Sequence, residues 1–501
     1  MSVRATLETV TDSVLPASDA AGPSPDPHRL SADDLVAATG GRLVRRGTRA
    51  ARHGAVDSRL VAPGMLFVAL AGERTDGHRF LAAAARAGAA ALIIGREPTA
   101  DETPLDALGD VTVVLVADPL SALHAVAAAW RTRFAPLVVG VTGSIAKTST
   151  KEAVAAVLAG GFTTLRSEGN RNNEVGLPLT VLDLGPEHTA AVLEMGMYAG
   201  GEIRDLAAIA RPSIGIVTTV QPVHLSRLGT IEAIEDAKAE LVEALPAAED
   251  GGVAVLNEDD ERVRRMATRT RARCSTYGFA PDADVRAAAV VSRGFEGMAF
   301  TLVTPAGSRE VAIEGLGRLA VHNALAGAAV GLAAGMTLDA IAPGLVSGSS
   351  APHRSVVHHV GGLTIVDDAY NASPGSVAAA LDLLGGLPGR PVAVLGEMRE
   401  LGDAHDVGHR EVGEAAGRVL AALAVVGGAP GGAARGIVEG ALAAGMARER
   451  IVEIPDAAVA VDSILPLLAP GDVVLVKASR GVELERVVDG LLAALGGEPP
   501  A

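Results

Sequence analysis

Aromatic side chains are scarce in this chain, with seven Phe, three Tyr and one Trp among 501 residues, too few for a surface on which nucleic-acid bases stack. Positive charge is short as well. Lys and Arg number 43 against 59 Asp and Glu, a formal net charge of −16, so the basic face that a nucleic-acid binder needs is missing. An anionic small ligand would instead need a few cations placed locally. The single cysteine, Cys274, excludes an internal disulfide and fits a reducing compartment. No run of about 18 apolar residues is present, so no membrane-spanning helix is expected. The N-terminus lacks a basic-then-apolar secretion pattern, and the cytoplasm is the expected location.

What is abundant is Gly, Ala and Val, in a chain long enough for two to four domains. Residues 1–28, ending AAGPSPDPH, carry no periodicity and are expected to form a disordered tail. Residues 29–134 alternate apolar strands (MLFVAL, AALIIG, VTVVLVAD) with amphipathic helices, which predicts a small N-terminal α/β domain. Residues 135–348 repeat the pattern with continuous apolar strands, predicting a P-loop-type parallel sheet with helices on both faces, followed by antiparallel DVRAAAVVSR, GMAFTLVTP and SREVAIEG. Residues 349–501 predict a third, Rossmann-like α/β domain with strands LTIVDDA, PVAVLGEM, LAVVGG, IVEIPD and DVVLVKAS. Ligands of such sheets sit outside the strand C-termini, and there the polar residues gather.

The first such end is PLVVGVTGSIAKTST, a strand, a turn and a helix opening at Lys147 and Thr148. Unpaired N–H groups at a helix start, the helix dipole, a lysine and a hydroxyl together suit a phosphate with Mg²⁺. Thr142, Gly143, Ser144, Ile145, Ala146, Lys147, Thr148 and Ser149 are the candidate phosphate-binding residues. A P-loop reads GxxxxGK[ST]; here Val141 and Ala146 stand at its two glycines, so the stretch by itself fits an ordinary strand-to-helix turn equally well.

Other strand ends carry Glu194, a candidate Mg²⁺ ligand or a solvated carboxylate, and His224, a candidate ligand or a surface imidazole. Lys238 lies among Glu235, Asp236 and Glu240, and its spacing reads as a solvated helix lysine. Asn172 and Asn173 precede a helix that either could cap. His322 and Asn323 stand at a helix start. Asp367, Asp368, Tyr370 and Asn371 end a strand as a capped turn or a nucleotide contact. Arg354 precedes that strand and could reach a phosphate from across a cleft.

In this order the stretches TGSxxKTSTKE, EGNRNNEVGLP, LEMGM, VHLSRLGT, AKAEL, HNAL, VDDAYNASP, LGEMRELGDAHDVGHREVG and LVKASRG resemble the Mur ligases, ATP-dependent amide-forming enzymes of peptidoglycan synthesis. The resemblance spans about residues 30–495. DDAYNASP and LGEMRELG with HREVG favour the member that adds D-alanyl-D-alanine to UDP-N-acetylmuramoyl-tripeptide. It implies that Lys147 holds the β- and γ-phosphates, that Thr148, Glu194, His224 and a carbamylated Lys238 serve two Mg²⁺ ions, and that Asn323 meets adenine. It implies further that Arg354 and Asp368 close on ATP, that Ser58 and Arg59 meet the uridine nucleotide, and that Asn172, Asn173, Tyr370 and Asn371 meet substrate. A monomer is expected, with no nucleic-acid partner and no membrane insertion.

Three departures stand out. TGSIAKT replaces the usual TGSxGKT, SSAPHRSVV replaces a glycine-arginine pair before Arg354, and KASR replaces KGSR at Lys477 to Arg480. A methyl at Ala146 strains the loop if that position needs φ > 0. The alternative to an active ligase is therefore a non-catalytic, or altered-acceptor, relative that binds nucleotide.

Overall fold

The computed structural model describes residues 26–496 except 73–74, 100, 223–224 and 348–351. The described strands form three sheets of five, nine and six strands. Most of the expected tail, residues 1–25, lies outside the described residues. Its last residues do not hang free: the Pro27 carbonyl accepts from Arg133 at 3.1 Å and His28 stacks on Phe134.

In the first sheet, Gly54–Ala55, Leu66–Val68, Ala91–Ile94 and Thr112–Leu115 run parallel, and Arg42–Arg45 closes the edge antiparallel to Thr112–Leu115. The following helix, Pro119–Arg131, starts where Asp118 accepts from the Leu120 and Ser121 N–H groups with Pro119 in its first turn, a position where a missing N–H is harmless. Its buried Trp130 donates to the Leu184 carbonyl at 3.1 Å. First unit and central sheet thereby share one apolar core, running from Leu35 and Leu66 through Val126 to Leu177, Leu193 and Leu241.

Seven central strands are parallel, in spatial order Thr164–Arg166, Ala190–Glu194, Leu137–Thr142, Ile214–Val217, Val253–Asn257, Arg273–Gly278 and Val285–Ser292. Val285–Ser292, expected antiparallel, instead pairs parallel with Arg273–Gly278 and is antiparallel only to Met298–Thr304; Met298–Thr304 and Gly307–Ile313 extend the sheet antiparallel, as their alternating pattern predicts. Leu137–Thr142 has sheet on both sides and helices on both faces. Val138 packs with the Glu202–Ala210 and Ile231–Glu243 helices, whereas Val139 and Val141 pack with Lys147–Leu158 and Gly317–Ala333. Burying each such valine contributes roughly 1.5–3 kcal/mol, which makes this strand a firm base for the turn that leaves it.

The third sheet runs Val356–Val360, Leu363–Asp367, Asp472–Lys477, Arg390–Leu395, Ala422–Val426 and Ile451–Ile454, parallel apart from the first strand. Apolar cores lie on both its faces. Its C-terminal strand ends, at Asp367, Leu395 and Lys477, face the C-terminal ends of the central strands across a cleft.

Candidate functional site

The cleft encloses a cavity of 510 Å³ lined from both sides, by Ser144–Ser149, Asn172, Asn173, Glu194, Lys238 and Asn323 of the central unit and by Arg354, Asp368, Tyr370, Asn371, Lys477 and Arg480 of the third. Most of the candidates scattered through the sequence thus meet in one place. Ser58 and Arg59 do not: they form a short 3₁₀ turn away from this cavity, where Arg59 is 86 % exposed and pairs with Asp57. His224 lies outside the described residues.

The turn after Leu137–Thr142 is held by its neighbours. Thr142 Oγ1 donates to the Met195 carbonyl at 2.8 Å, and the Ser144 N–H donates to the Thr219 carbonyl at 2.8 Å. Thr218 Oγ1 donates to the Ile145 carbonyl at 2.7 Å. Gly143, at φ 148, lies so close that a Cβ there would run into Thr218 Oγ1. Ala146 adopts φ 65 and ψ 5, immediately before the helix Lys147–Leu158. The position is left-handed, the region in which a Cβ is penalised. Among the described residues the N–H groups of Ala146, Lys147, Thr148 and Ser149 have no acceptor, so four donors and the positive end of a helix dipole open on the cavity.

Lys147 Nζ folds back onto the Gly143 carbonyl at 2.9 Å. Burial pulls its pKa below lysine's ordinary value, while Glu194 pulls it up. Glu194 ends the adjacent strand and is 1 % exposed. Its Oε1 accepts from Asn172 Nδ2 at 2.8 Å, whereas Oε2 is buried with no hydrogen-bond partner among the described residues. A bare carboxylate oxygen in such a place is costly unless a cation meets it. Asn173 turns out to be a cap: its Oδ1 accepts from the Val175 and Gly176 N–H groups.

Lys238 corrects the spacing argument. It is 2 % exposed, not solvated, and the acidic neighbours turn elsewhere, Glu235 to Arg265, Asp236 to Arg269 and Glu240 to the Gly201 and Arg204 N–H groups. Burial, aided by the charge of Lys147, drives the Lys238 pKa well below lysine's ordinary value, so its neutral form is favoured. Asn323 is fixed through its Oδ1, which accepts from Thr150 Oγ1 at 3.0 Å, and it stands beside the apolar lining of Leu316, Leu319 and Ala320. Its neighbour His322 pairs with Asp259 at 3.0 Å.

From the third unit, Arg354 Nη2 donates to Thr148 Oγ1 at 3.2 Å, and its Nε is buried with no partner among the described residues. Its guanidinium lies 4.3 Å from the Tyr370 ring centroid, and Arg480 lies at 4.8 Å from the same centroid. Asp368 accepts from Lys477 Nζ at 2.6 Å, and the same amine donates to the Asn371 carbonyl at 2.9 Å. Asp368 therefore acts in partnership with a buried lysine. Sequence reasoning noted Lys477 and Arg480 as strand-end groups without giving them a role, and it passed over Arg399 and Glu400, which also line the cavity. The loop carrying them is pinned where the Met398 N–H donates to buried His409 Nε2 at 2.8 Å.

Residues 55–131 match the catalytic domain of the Mur ligase family, 141–331 the Mur ligase middle domain and 353–480 the Mur ligase glutamate ligase domain. The chain is 37 % identical to the UDP-N-acetylmuramoyl-tripeptide–D-alanyl-D-alanine ligase of Mycobacterium bovis over 468 residues, 87 % of this chain and 91 % of that one. It is 38 % identical to the Escherichia coli ligase of the same name over 366 residues, 72 % of this chain and 77 % of that one. The crystal structure of MurF from Acinetobacter baumannii superposes with a TM-score of 0.82 at 28 % identity, covering 93 % of this chain and 99 % of that one. MurF ligase from Thermotoga maritima, solved in complex with ADP, gives 0.76 at 30 % identity, covering 89 % and 98 %. With three successive domain matches in order and relatives alike over most of their length, this chain belongs to the Mur ligase family.

Proposed function

We propose that the chain is an ATP-dependent carbon–nitrogen ligase that joins D-alanyl-D-alanine to UDP-N-acetylmuramoyl-tripeptide in peptidoglycan precursor synthesis, releasing ADP and phosphate. The observation that carries this reading is a helix start with Lys147 and four N–H groups that have no acceptor among the described residues, facing Arg354 across the cleft. We assign ATP to residues 135–348, the uridine-nucleotide end to 29–134 through Ser58 and Arg59, and the incoming dipeptide to 349–501 beside Tyr370 and Asn371. The reading includes a cytoplasmic location and a monomeric state.

In this reading the tripeptide carboxylate attacks the γ-phosphorus of ATP, the bond to ADP breaks, and an acyl phosphate forms; the dipeptide amine then attacks the acyl carbon and phosphate leaves. Two anions must meet in the first step. Lys147, Arg354 and the loop N–H groups neutralise them. Asn323 with its apolar neighbours receives adenine, and Asp368, held by Lys477, borders the closing side. Because water destroys an acyl phosphate, closure of the third unit over the central one protects it.

The donor set fits Mg²⁺: Glu194 Oε2 is buried with no partner among the described residues, Thr148 offers a hydroxyl, and His224 and Lys238 complete the proposed ligands. When bound, the two ions screen the repulsion between carboxylate and phosphate. Lys238 suits carbamylation, since burial favours the neutral, nucleophilic form of its amine and the carbamate formed with CO₂ is an anion able to support a cation. Asn172 orients Glu194, and Asn173 shapes the turn beside it.

The non-catalytic alternative finds no support in the loop, because Ala146 occupies the left-handed turn while every neighbouring tie is made. Release of ADP and phosphate, measured with all three substrates and with each omitted in turn, tests the reading, together with the mass of the ligated product. ADP release that D-alanyl-D-alanine does not stimulate would sink it.

A further inference from the structure

Arg354 stands on an unusual piece of backbone. The residues on either side of it, His353 at φ 57 and Ser355 at φ 54, both occupy the left-handed region without being glycine. Side chains disfavour this conformation, and it persists only where surrounding contacts over-determine it. The contacts are on the His353 side. His353 Nδ1 donates to Asp367 Oδ2 at 2.7 Å. Asp367 ends an inner strand of the third sheet, is 1 % exposed, and has its other oxygen accepting from the Ala369 N–H at 3.2 Å. The His353 carbonyl in turn accepts from the Tyr370 N–H at 3.1 Å. One residue is thus tied by side chain and by backbone to the segment 367–370, and that segment carries the Tyr370 ring on which the Arg354 guanidinium rests. His358, on the neighbouring strand, presents Nε2 to Asp367 Oδ2 at 3.9 Å and adds to the field around the carboxylate.

We propose that His353 is a positioning residue that aims Arg354 at the point of phosphoryl transfer by anchoring this strained turn to the buried carboxylate of Asp367. It makes no contact with the phosphate loop and meets a residue assigned to substrate only through the Tyr370 N–H on its backbone carbonyl, so its side chain acts through Arg354. The role holds only if Arg354 meets the phosphate as read above, and the two claims separate in a double-variant comparison of ADP release. Arg354→Ala is expected to lower kcat by about 100-fold or more. His353→Ala, which keeps the penalised backbone and loses the anchor, is expected to lower kcat by about 10-fold, with KM for UDP-N-acetylmuramoyl-tripeptide within about twofold of wild type. His353→Asn, whose side chain tolerates the left-handed region and keeps a donor, is expected to recover most of that loss. In an Arg354→Ala background, His353→Ala should change kcat by less than about twofold, because the group it aims is gone. Full activity in His353→Ala while Arg354→Ala is impaired overturns the positioning role alone, as does a full further 10-fold loss in the double variant. Full activity in Arg354→Ala overturns the reading of the cleft and the positioning role with it. Thermal melting checks that each variant is folded at the assay temperature, and His353→Asn against wild type repeats the comparison should His353→Ala not fold.

Discussion

Two loops face each other across the cleft, and each puts a side-chain-bearing residue in left-handed backbone next to the cation it presents: Ala146 before Lys147, and His353 before Arg354. Their compensation differs. The methyl of Ala146 makes no bond, so the turn keeps its shape through other residues, the Ser144 N–H on Thr219 and Thr218 Oγ1 on the Ile145 carbonyl. At His353 the residue itself supplies the tie, to Asp367. Glycine should therefore relieve the first loop and loosen the second. A positive φ under a Cβ thus does not by itself decide whether a loop can work; what matters is which groups hold the residue there.

The cations tested together give the largest effect. Lys147→Ala should lower kcat by about 100- to 1000-fold in a steady-state ADP-release assay, comparable with Arg354→Ala, and a variant still near wild type would mean that the two loops do not converge on one group. Gly143→Ala comes next, since its Cβ would collide with Thr218 Oγ1 and distort the turn. The expectation is a rise of about 10-fold or more in KM for ATP with KM for the dipeptide unchanged, and an unaltered KM for ATP would show that the turn is not the phosphate site.

Lys238→Met separates charge strain from backbone strain. Activity should fall by at least about 10-fold, yet the Tm in bicarbonate-free buffer should rise, because a buried amine whose charged form is disfavoured is replaced by an apolar side chain of similar size. The sign with pH follows from its lowered pKa. Between the folded and the ordinary lysine values the unfolded chain binds the additional proton, so the Lys238 contribution makes stability rise with pH there. Melting curves over the pH range just below lysine's ordinary value should show a smaller rise in Lys238→Met than in wild type, and equal slopes would contradict a lowered pKa for this buried amine.

The smallest effect is the sharpest contrast. Ala146→Gly should stabilise the protein by about 0.5–1 kcal/mol in denaturant unfolding and leave kcat within about threefold, whereas His353→Gly should lower kcat by about 10-fold. Equal responses of the two loops would erase the distinction between them.

Most parallel strands were legible because strands covered on both faces are continuous apolar runs, as in LVVGV and AAVLE; two-residue Gly54–Ala55 and the polar Arg273–Gly278 were not. Arg42–Arg45 and Val356–Val360 were not, since these short edge strands are only partly buried and carry Arg or His. That the turn 143–149, Glu194 and Arg354 gather at one cleft was legible from their positions at strand ends or before a strand. Burial of Lys238 was not, because acidic neighbours at helical spacing look alike whether the lysine faces water or a cleft. Nor was the backbone at His353, where nothing in the residue type announces φ > 0. Asn173 proved to be the helix cap that its type favours.

The most direct test of the whole account is a crystal structure with Mg²⁺ and a non-hydrolysable ATP analogue. The β- and γ-phosphates should lie within hydrogen-bond distance of the N–H groups of Ala146–Ser149, with Lys147 Nζ moved from the Gly143 carbonyl onto phosphate and Arg354 on the γ-phosphate from the opposite side. Nucleotide bound elsewhere, or Arg354 left on Thr148 without a phosphate contact, would contradict it.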